Sequence, residues 1–320
     1  MDKSTSNNSP IISVVMSVYK EPQEWLHQSI DSILNQTFSD FEFIIICDNP
    51  VYKEGIELLR EYAEKDSRVL IMYNEENIGL TKSLNKGLAI ARGEYIARMD
   101  ADDISKPERL EKQLNYFESH NDVDICGSNA KMFGRRNGII HCPQYNEQVA
   151  LYLDNCFIHS AVMMKRVVAD LKYDEECKAA QDYELWFRAQ QRGFVFYNIQ
   201  EELVLYRVSE GQITNKNKTI QRRVASKVRR ASLNTLLDSQ NLSMKLSQGE
   251  SVTFKFISAV FKMLELEDNK KKRLLYYLLL STNYKKRDAL YFLYRSGLIS
   301  YLPFSYMTRV LINNNEVSLF

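Results

Sequence analysis

The sequence predicts an α/β fold, a mostly parallel sheet flanked by helices over residues 1–215, followed by a helical, basic region over 216–320. Three observations predict it. Compact runs of β-branched and apolar residues alternate with amphipathic stretches through the first hundred residues, the pattern of strands joined by crossover helices. Acidic residues fall at the carboxyl ends of two of those runs, the edge on which such sheets bind ligands. The charge also divides: residues 216–320 hold 19 Lys/Arg against 7 Asp/Glu, a local net of +12, and residues 1–215 hold 23 against 34, a net of −11. An acidic front and a basic rear imply different partners for the two parts.

Ile11 to Val18 is an apolar, β-branched run and reads as a buried strand. Trp25, Leu26, Ile30, Ile33 and Leu34 then recur at helical spacing. Phe41 to Cys47 is a second buried strand, Ile56 to Lys65 a helix, and Val69 to Tyr73 a third strand. Leu80 to Arg92 is helical and stops at Gly93, and Tyr95 to Met99 is a fourth strand. A helix runs from Pro107 to about His120, and Val123 to Gly127 is a strand. Residues 128–160 are less regular; beyond them come a helix over Tyr183–Arg192 and two short strands, Phe194–Tyr197 and Leu203–Tyr206.

Five cysteines (47, 126, 142, 156 and 177) form no Cys-x-x-Cys pair, so neither a disulfide framework nor a cysteine-rich zinc site is expected, and a reducing cytoplasm fits best. Met1 to Pro10 is polar, so no secretory signal is expected, and no run has the roughly 18 apolar residues of a membrane span. The expected location is cytoplasmic, with peripheral attachment to the inner face of the cell membrane left open. In 270–310, Lys270–Arg273 and Lys285–Arg287 stand beside Leu/Tyr-rich segments. That pairing suits an anionic membrane surface, and equally the solvated face of a packed helical bundle. No nucleic-acid motif accompanies the charge, so nucleic acid is not an expected partner.

The chemistry concentrates at Met99-Asp-Ala-Asp-Asp103, straight after the fourth strand. Carboxylates so close repel one another, and a divalent cation with oxygen ligands would relieve that; an acidic turn ahead of a helix is the plainer alternative.

Seven stretches in order decide between the two: Ser13-Val-Val-Met-Ser-Val-Tyr19, Ser32-Ile-Leu-Asn-Gln-Thr-Phe38, Phe41-Glu-Phe-Ile-Ile-Ile46, Asn77-Ile-Gly-Leu80, Ser83-Leu-Asn-Lys-Gly87, Gly93 through Asp103, and Pro107-Glu-Arg-Leu110. Together they resemble the inverting glycosyltransferase family 2, whose members have the GT-A nucleotide-sugar fold; the likeness covers roughly residues 11–210, about two thirds of the chain. The resemblance implies the following roles. Asp100-Ala101-Asp102 is similar to the family's DxD motif, with Asp102 the direct ligand of Mn²⁺ or Mg²⁺ and Asp100 on the ribose or the metal's water shell. Ser17, Val18 and Tyr19 fall where the family grips base and ribose, though Tyr19 reads equally as a packed loop aromatic. Asp48 matches an acid that contacts uracil; Cys47 replaces the acid before it, and Asn49-Pro50 the usual Gly-Ser, so thymine nucleotides stay open. Lys82 reads as a phosphate contact or a solvated helical lysine, and Arg98 as orienting a carboxylate or the donor sugar. His159, in His159-Ser160, is a candidate for diphosphate or metal, or a structural histidine. Asp103 reads as the cap of the helix entered at Ser105-Lys106-Pro107.

Asp182, in Gln181-Asp182-Tyr183-Glu184-Leu185-Trp186, matches the family's general base and also suits a helix cap. Neither Trp25 nor Trp186 stands in the Gln-x-x-Arg-Trp motif of processive members, so one sugar per encounter is expected. The implied reaction moves a hexose or N-acetylhexosamine from a UDP-sugar to a glycan acceptor, lipid-diphosphate-linked, in surface polysaccharide synthesis. Transfer to a protein or simple lipid, and a catalytically silent nucleotide-sugar-binding scaffold, are the alternatives.

Overall fold

The structure, a computed structural model, describes residues 9–142, 151, 155–177, 179–209 and scattered positions between 220 and 235. The chain divides into two compact units, Met1–Gln148 with Asn155–Ala225, and Val149–Asp154 with Ser226–Phe320. The expected boundary near residue 215 and the basic clusters of 270–310 lie outside the described residues.

In the first unit, β1 (Ile12–Val18), α1 (Gln23–Leu34), β2 (Phe41–Cys47), α2 (Lys53–Lys65), β3 (Val69–Tyr73), α3 (Leu80–Ile90) and β4 (Tyr95–Asp100) alternate as the sequence predicts. Next come β5 (Ile104–Ser105), α4 (Arg109–Ser119), β6 (Ile125–Gly134) and β7 (Gly138–Ile140). After a 3₁₀ turn at His159–Ala161 follow β8 (Met163–Lys165), α5 (Arg166–Ala169), α6 (Gln181–Gln191) and β9 (Phe196–Val208). They form one nine-stranded sheet in the order β3-β2-β1-β4-β8-β6-β9-β5, with β7 on β6. β1 to β4 are mutually parallel where they pair, whereas β8 runs antiparallel to both β4 and β6. β2 is buried at every position, as a central strand covered on both faces must be. Among the described residues no helix is long and apolar enough to cross a membrane.

Three expectations change. The strand read as Val123–Gly127 is the ten-residue β6, which extends into the stretch expected to be irregular. The two short strands after α6 are one strand, β9; the polar Gln200-Glu201-Glu202 interrupts the apolar pattern because the pairing with β6 slips there, Ser128 opposing Ile199 and Asn129 opposing Glu202. Asp103 caps no helix: α4 begins at Arg109 after Glu108, and Asp103 is fully buried, accepting from Ser160 Oγ at 2.5 Å and the Arg207 amide at 2.8 Å.

Residues of α1 and of the turn after it hold the acidic loop. Ser29 Oγ donates to the Asp100 carbonyl at 2.8 Å, Ser32 Oγ accepts the Ser105 amide at 2.9 Å, and Gln36 Nε2 donates to the Lys106 carbonyl at 2.7 Å. Arg109, fully buried, donates to the Arg98 carbonyl at 2.8 Å and the Val162 carbonyl at 3.1 Å, pinning β4 where its pairing with β8 ends. At the opposite edge Gly93 lies against β1: a Cβ there would sit 2.5 Å from the Ser13 nitrogen and 2.6 Å from the Ile12 carbonyl carbon. Backbone cannot step aside as a side chain can, so Gly93→Ala is expected to destabilise the fold by about 1–3 kcal/mol. Thermal denaturation checks this, and an unchanged melting temperature contradicts it.

Candidate active site

β1 and β4 lie side by side with Ser17 opposite Asp100, so the loops that leave them open together at the carboxyl edge of the sheet. The acidic loop is held by its backbone and by Asp103. Arg207 Nε donates to the Asp102 carbonyl at 2.7 Å, and the guanidinium sits over the Trp25 ring at 4.8 Å and the Phe133 ring at 4.4 Å. With Asp103 anchored inward, the carboxylates of Asp100 and Asp102 keep part of their surface open to solvent.

Their electrostatics are crowded. The Asp102 carboxyl is pushed up to about 7, first by burial and then by the charges of Asp100 and Glu21, with Arg98 opposing. Glu21, whose Oε2 accepts the Tyr19 amide at 2.8 Å, is also raised, by burial first and by Asp100. An ionised Asp102 has only partial compensation from Arg98 and lacks the rest. A divalent cation supplies it, and an all-oxygen donor set suits Mg²⁺ or Mn²⁺. Among the described residues no three His, Cys, Asp or Glu side chains converge on a metal position. Such ions are commonly held by one or two carboxylates, with phosphate and water completing the shell, so Asp102 with Asp100 beside it fits. His159 does not join them. Its Nε2 lies 2.8 Å from the Tyr173 hydroxyl, and burial and then the Arg98 charge hold the ring neutral, a cationic neighbour that disfavours a metal.

On the nucleotide side, Val18 is buried and its carbonyl accepts the Asp48 amide at 2.7 Å, and Tyr19 is 40% exposed with Lys20 Nζ 5.2 Å from its ring centre. Asp48 has a task within the fold beside the uracil contact that the resemblance implies. It is 3% exposed; Oδ1 accepts from Asn74 Nδ2 at 2.8 Å and the Ile78 amide at 2.9 Å, and Oδ2 accepts the Gly79 amide at 2.8 Å. The carboxylate braces the 74–79 loop, which carries the chain into α3 through Gly79 at φ 87°. Lys82 is exposed on α3, whereas Lys86, one turn further, donates to Asn74 Oδ1 at 2.8 Å.

Asp182 lies in the first turn of α6 and keeps part of its surface open. Asn155 Nδ2 donates to its Oδ2 at 2.6 Å. Burial raises the Asp182 carboxyl, the Asp100 charge adds to that, and bonds from Tyr183 and Asn155 oppose it. The non-glycine residues with left-handed backbone among those described are Lys172 (φ 55°) and Ala180 (φ 52°). They stand one residue before Tyr173 and two before Asp182, where such strain commonly gathers around a functional site. Arg188 of α6 clamps the Leu171 carbonyl at 2.8 Å and the Lys172 carbonyl at 2.5 Å. Asn85 of α3 brackets Tyr173, donating to its carbonyl and accepting its amide, both at 2.9 Å. The sequence reading assigned no task to Asn155, Tyr173 or Arg207; their partners lie 27, 14 and 105 positions away, and no local spacing marks them.

The charges of Asp100 and Arg98 thus reach Asp102, that of Asp100 reaches Asp182 and that of Arg98 reaches His159, while Asp48 braces the 74–79 loop and Lys82 is exposed. Residues 13–170 match the family described as Glycosyl transferase family 2. An uncharacterised glycosyltransferase of Methanocaldococcus jannaschii is 40% identical over 208 residues, covering 63% of this chain and 72% of that protein. The O-antigen biosynthesis glycosyltransferase WbnJ of Escherichia coli is 37% identical over 206 residues, 62% of this chain and 80% of that one. In fold, the chain is similar to S. aureus TarS 1–349 solved in complex with UDP-GlcNAc, with a TM-score of 0.59 at 16% identity over 91% of this chain and 88% of that one. A mostly parallel sheet carrying its acidic loop at the end of β4, together with these relatives, shows that the chain belongs to glycosyltransferase family 2 and has the GT-A fold.

Proposed function

We propose that the chain moves one hexose or N-acetylhexosamine from a UDP-sugar to a hydroxyl of a glycan acceptor, with inversion, and releases the product after a single addition. One observation supports the reading: the Asp100 charge reaches both Asp102 and Asp182, as expected if the acidic loop and the candidate base act on one substrate. In an inverting displacement the acceptor oxygen attacks the anomeric carbon while the bond to the diphosphate oxygen breaks. Asp182 takes the acceptor's proton, and its raised carboxyl makes it a stronger base than a solvated aspartate. Asp102, with Asp100 beside it, would hold Mg²⁺ or Mn²⁺, whose chemistry there is to offset the charge of the departing diphosphate.

UDP is favoured by the fold neighbour TarS, whose structures hold UDP-GlcNAc and UDP. A polysaccharide acceptor is favoured by relatives such as WbnJ and the amylovoran biosynthesis glycosyltransferase AmsE of Erwinia amylovora, which is 31% identical over 213 residues. A lipid-diphosphate anchor on the acceptor would place it at an anionic membrane surface, which the basic composition of 216–320 suits. The test is incubation with radiolabelled UDP-sugars, Mn²⁺ and a synthetic lipid-diphosphate-linked sugar. One labelled sugar per acceptor is expected; no transfer, no donor hydrolysis and no metal-dependent UDP binding would sink the proposal.

A further inference from the structure

α2 opens against the local rules. Tyr52 precedes it and gives no side-chain cap where Ser, Thr, Asp or Asn would, and Gly55 stands in its first turn, where almost any other residue favours a helix more. One contact accounts for both residues. The Tyr52 ring lies across Gly55: a Cβ there would sit 1.9 Å from ring carbon Cε1 and 2.2 Å from Cδ1. Placed so, the Tyr52 hydroxyl donates to the Glu21 carbonyl at 2.5 Å, 31 positions earlier in the chain. Local preference set aside for a distant contact is commonest at functional sites. The loop that delivers Tyr52 also departs from the family pattern, at Cys47 and Asn49-Pro50. Asn49 closes it, its carbonyl accepting the Tyr52 amide and its Oδ1 the Val51 amide, both at 3.2 Å.

The Glu21 carbonyl belongs to the turn by which the chain leaves β1. Glu21 Oε2 closes that turn from within by accepting the Tyr19 amide at 2.8 Å. A second tie, from Gln23 Nε2 to the Glu54 carbonyl at 3.2 Å, joins the start of α1 to the start of α2. The turn borders the site. Val18, just before it, accepts the Asp48 amide, Ser17 stands opposite Asp100, and the Glu21 charge acts on Asp102. We propose that Tyr52 is a positioning residue for the nucleotide: through the Glu21 carbonyl it holds the Tyr19–Glu21 turn ready for the uridine half of the donor, and Gly55 is glycine so that the ring can reach. This assignment rests on the UDP-sugar reading above.

The two ends of the Tyr52 side chain do different work. Its ring is partly buried against the core beneath β1 and β2, which serves the fold, whereas its hydroxyl serves the turn alone. A turn fixed before the ligand arrives spares the ordering that binding would otherwise cost. The bond is therefore expected to act on nucleotide affinity. It touches neither Asp182 in α6 nor the oxygens of Asp100 and Asp102, so the chemical step should be indifferent to it.

Calorimetric titration of the full chain with UDP and Mn²⁺ tests this. Tyr52→Phe, which keeps the ring and removes the hydroxyl, is expected to bind UDP about fivefold more weakly, the effect of one lost hydrogen bond. Its donor KM should rise by a similar factor while kcat stays within about twofold of the unaltered protein's. Gly55→Ala should weaken UDP binding to a similar extent although alanine favours the helix, because the new methyl displaces the ring. In a Tyr52→Ala background no ring is left to displace. There Gly55→Ala should cost no further UDP affinity and should raise the melting temperature. Hydrogen exchange needs no variant, so a misfolded substitution cannot obscure it: in the unaltered protein the Tyr19–Glu21 amides should exchange slowly before UDP is added. The inference is overturned if Tyr52→Phe binds UDP as tightly as the unaltered protein, or loses kcat with KM unchanged. It is also overturned if Gly55→Ala weakens UDP equally in both backgrounds, or if the turn exchanges freely until UDP binds. Failure of the unaltered protein to bind UDP would bring down the UDP-sugar reading with the inference; UDP binding indifferent to Tyr52 would bring down the inference alone.

Discussion

Asp182→Ala is expected to lower kcat/KM for transfer by about 10³-fold or more while leaving metal-dependent UDP affinity within about twofold, because removing a general base typically costs 10²–10⁴. The side chain is held by Asn155 and stands in the first turn of α6. Its loss removes the proton acceptor and none of the groups proposed to hold the diphosphate. The pH profile supplies an independent check. Burial raises the Asp182 carboxyl from an ordinary 3.8, and the base acts only when ionised, so activity falls as pH falls through the raised value. The acid limb of kcat/KM should therefore lie above the ordinary carboxylate range. Asn155 opposes the raising, so Asn155→Ala should move that limb further up. A limb that stays in place in Asn155→Ala would argue that another group is titrating. Steady-state rates at saturating donor measure the first effect and calorimetry the second; equal loss of rate and of UDP affinity would contradict the assignment.

The parts of the chain legible in sequence are those whose signal is local. β1 through β4 with their helices announce themselves by alternating periodicities, and Met99–Asp103 announces itself as an unusual density of charge. The motif around Asp182 marks that position, and its role as base is the proposal made above. Residues whose task is set by distant partners were not legible. Arg207 looks like a single basic residue closing an apolar strand; only the fold shows it stacked between Trp25 and Phe133 and bonded to the carbonyl of Asp102. Asp103 looks like a cap because acids favour helix starts, yet its partners Ser160 and Arg207 are 57 and 104 positions away. At Asp48 the motif marks the position, but not the three bonds from Asn74, Ile78 and Gly79 by which the carboxylate also shapes the loop. β8 was invisible for a topological reason. A three-residue strand inserted antiparallel between β4 and β6 is too short to show a period.

Asp102→Ala carries the second large effect, and its signature is opposite to that of Asp182→Ala. Transfer should fall below detection, and UDP binding should lose its dependence on Mn²⁺, because the carboxylate proposed to hold the cation is gone while the protein groups around the base ring remain. Stability gives a readout apart from activity. In the unaltered protein, Mn²⁺ with UDP binds the folded state and should raise the melting temperature by mass action. In Asp102→Ala that gain should vanish. The metal-free variant should melt no lower than the metal-free parent, since Asp102 is a partly buried carboxylate pressed by Asp100 and Glu21, and removing it relieves like-charge crowding. A lowered metal-free melting temperature would mean that Asp102 serves the fold, as Asp103 does, rather than the site. Asp103→Ala is the matching control. It strips Ser160 Oγ and the Arg207 amide of their buried acceptor, so it should destabilise the protein with or without metal. The two neighbouring acids separate by this comparison because Asp102 keeps part of its surface exposed, whereas Asp103 is fully buried and bonded to Ser160 and Arg207.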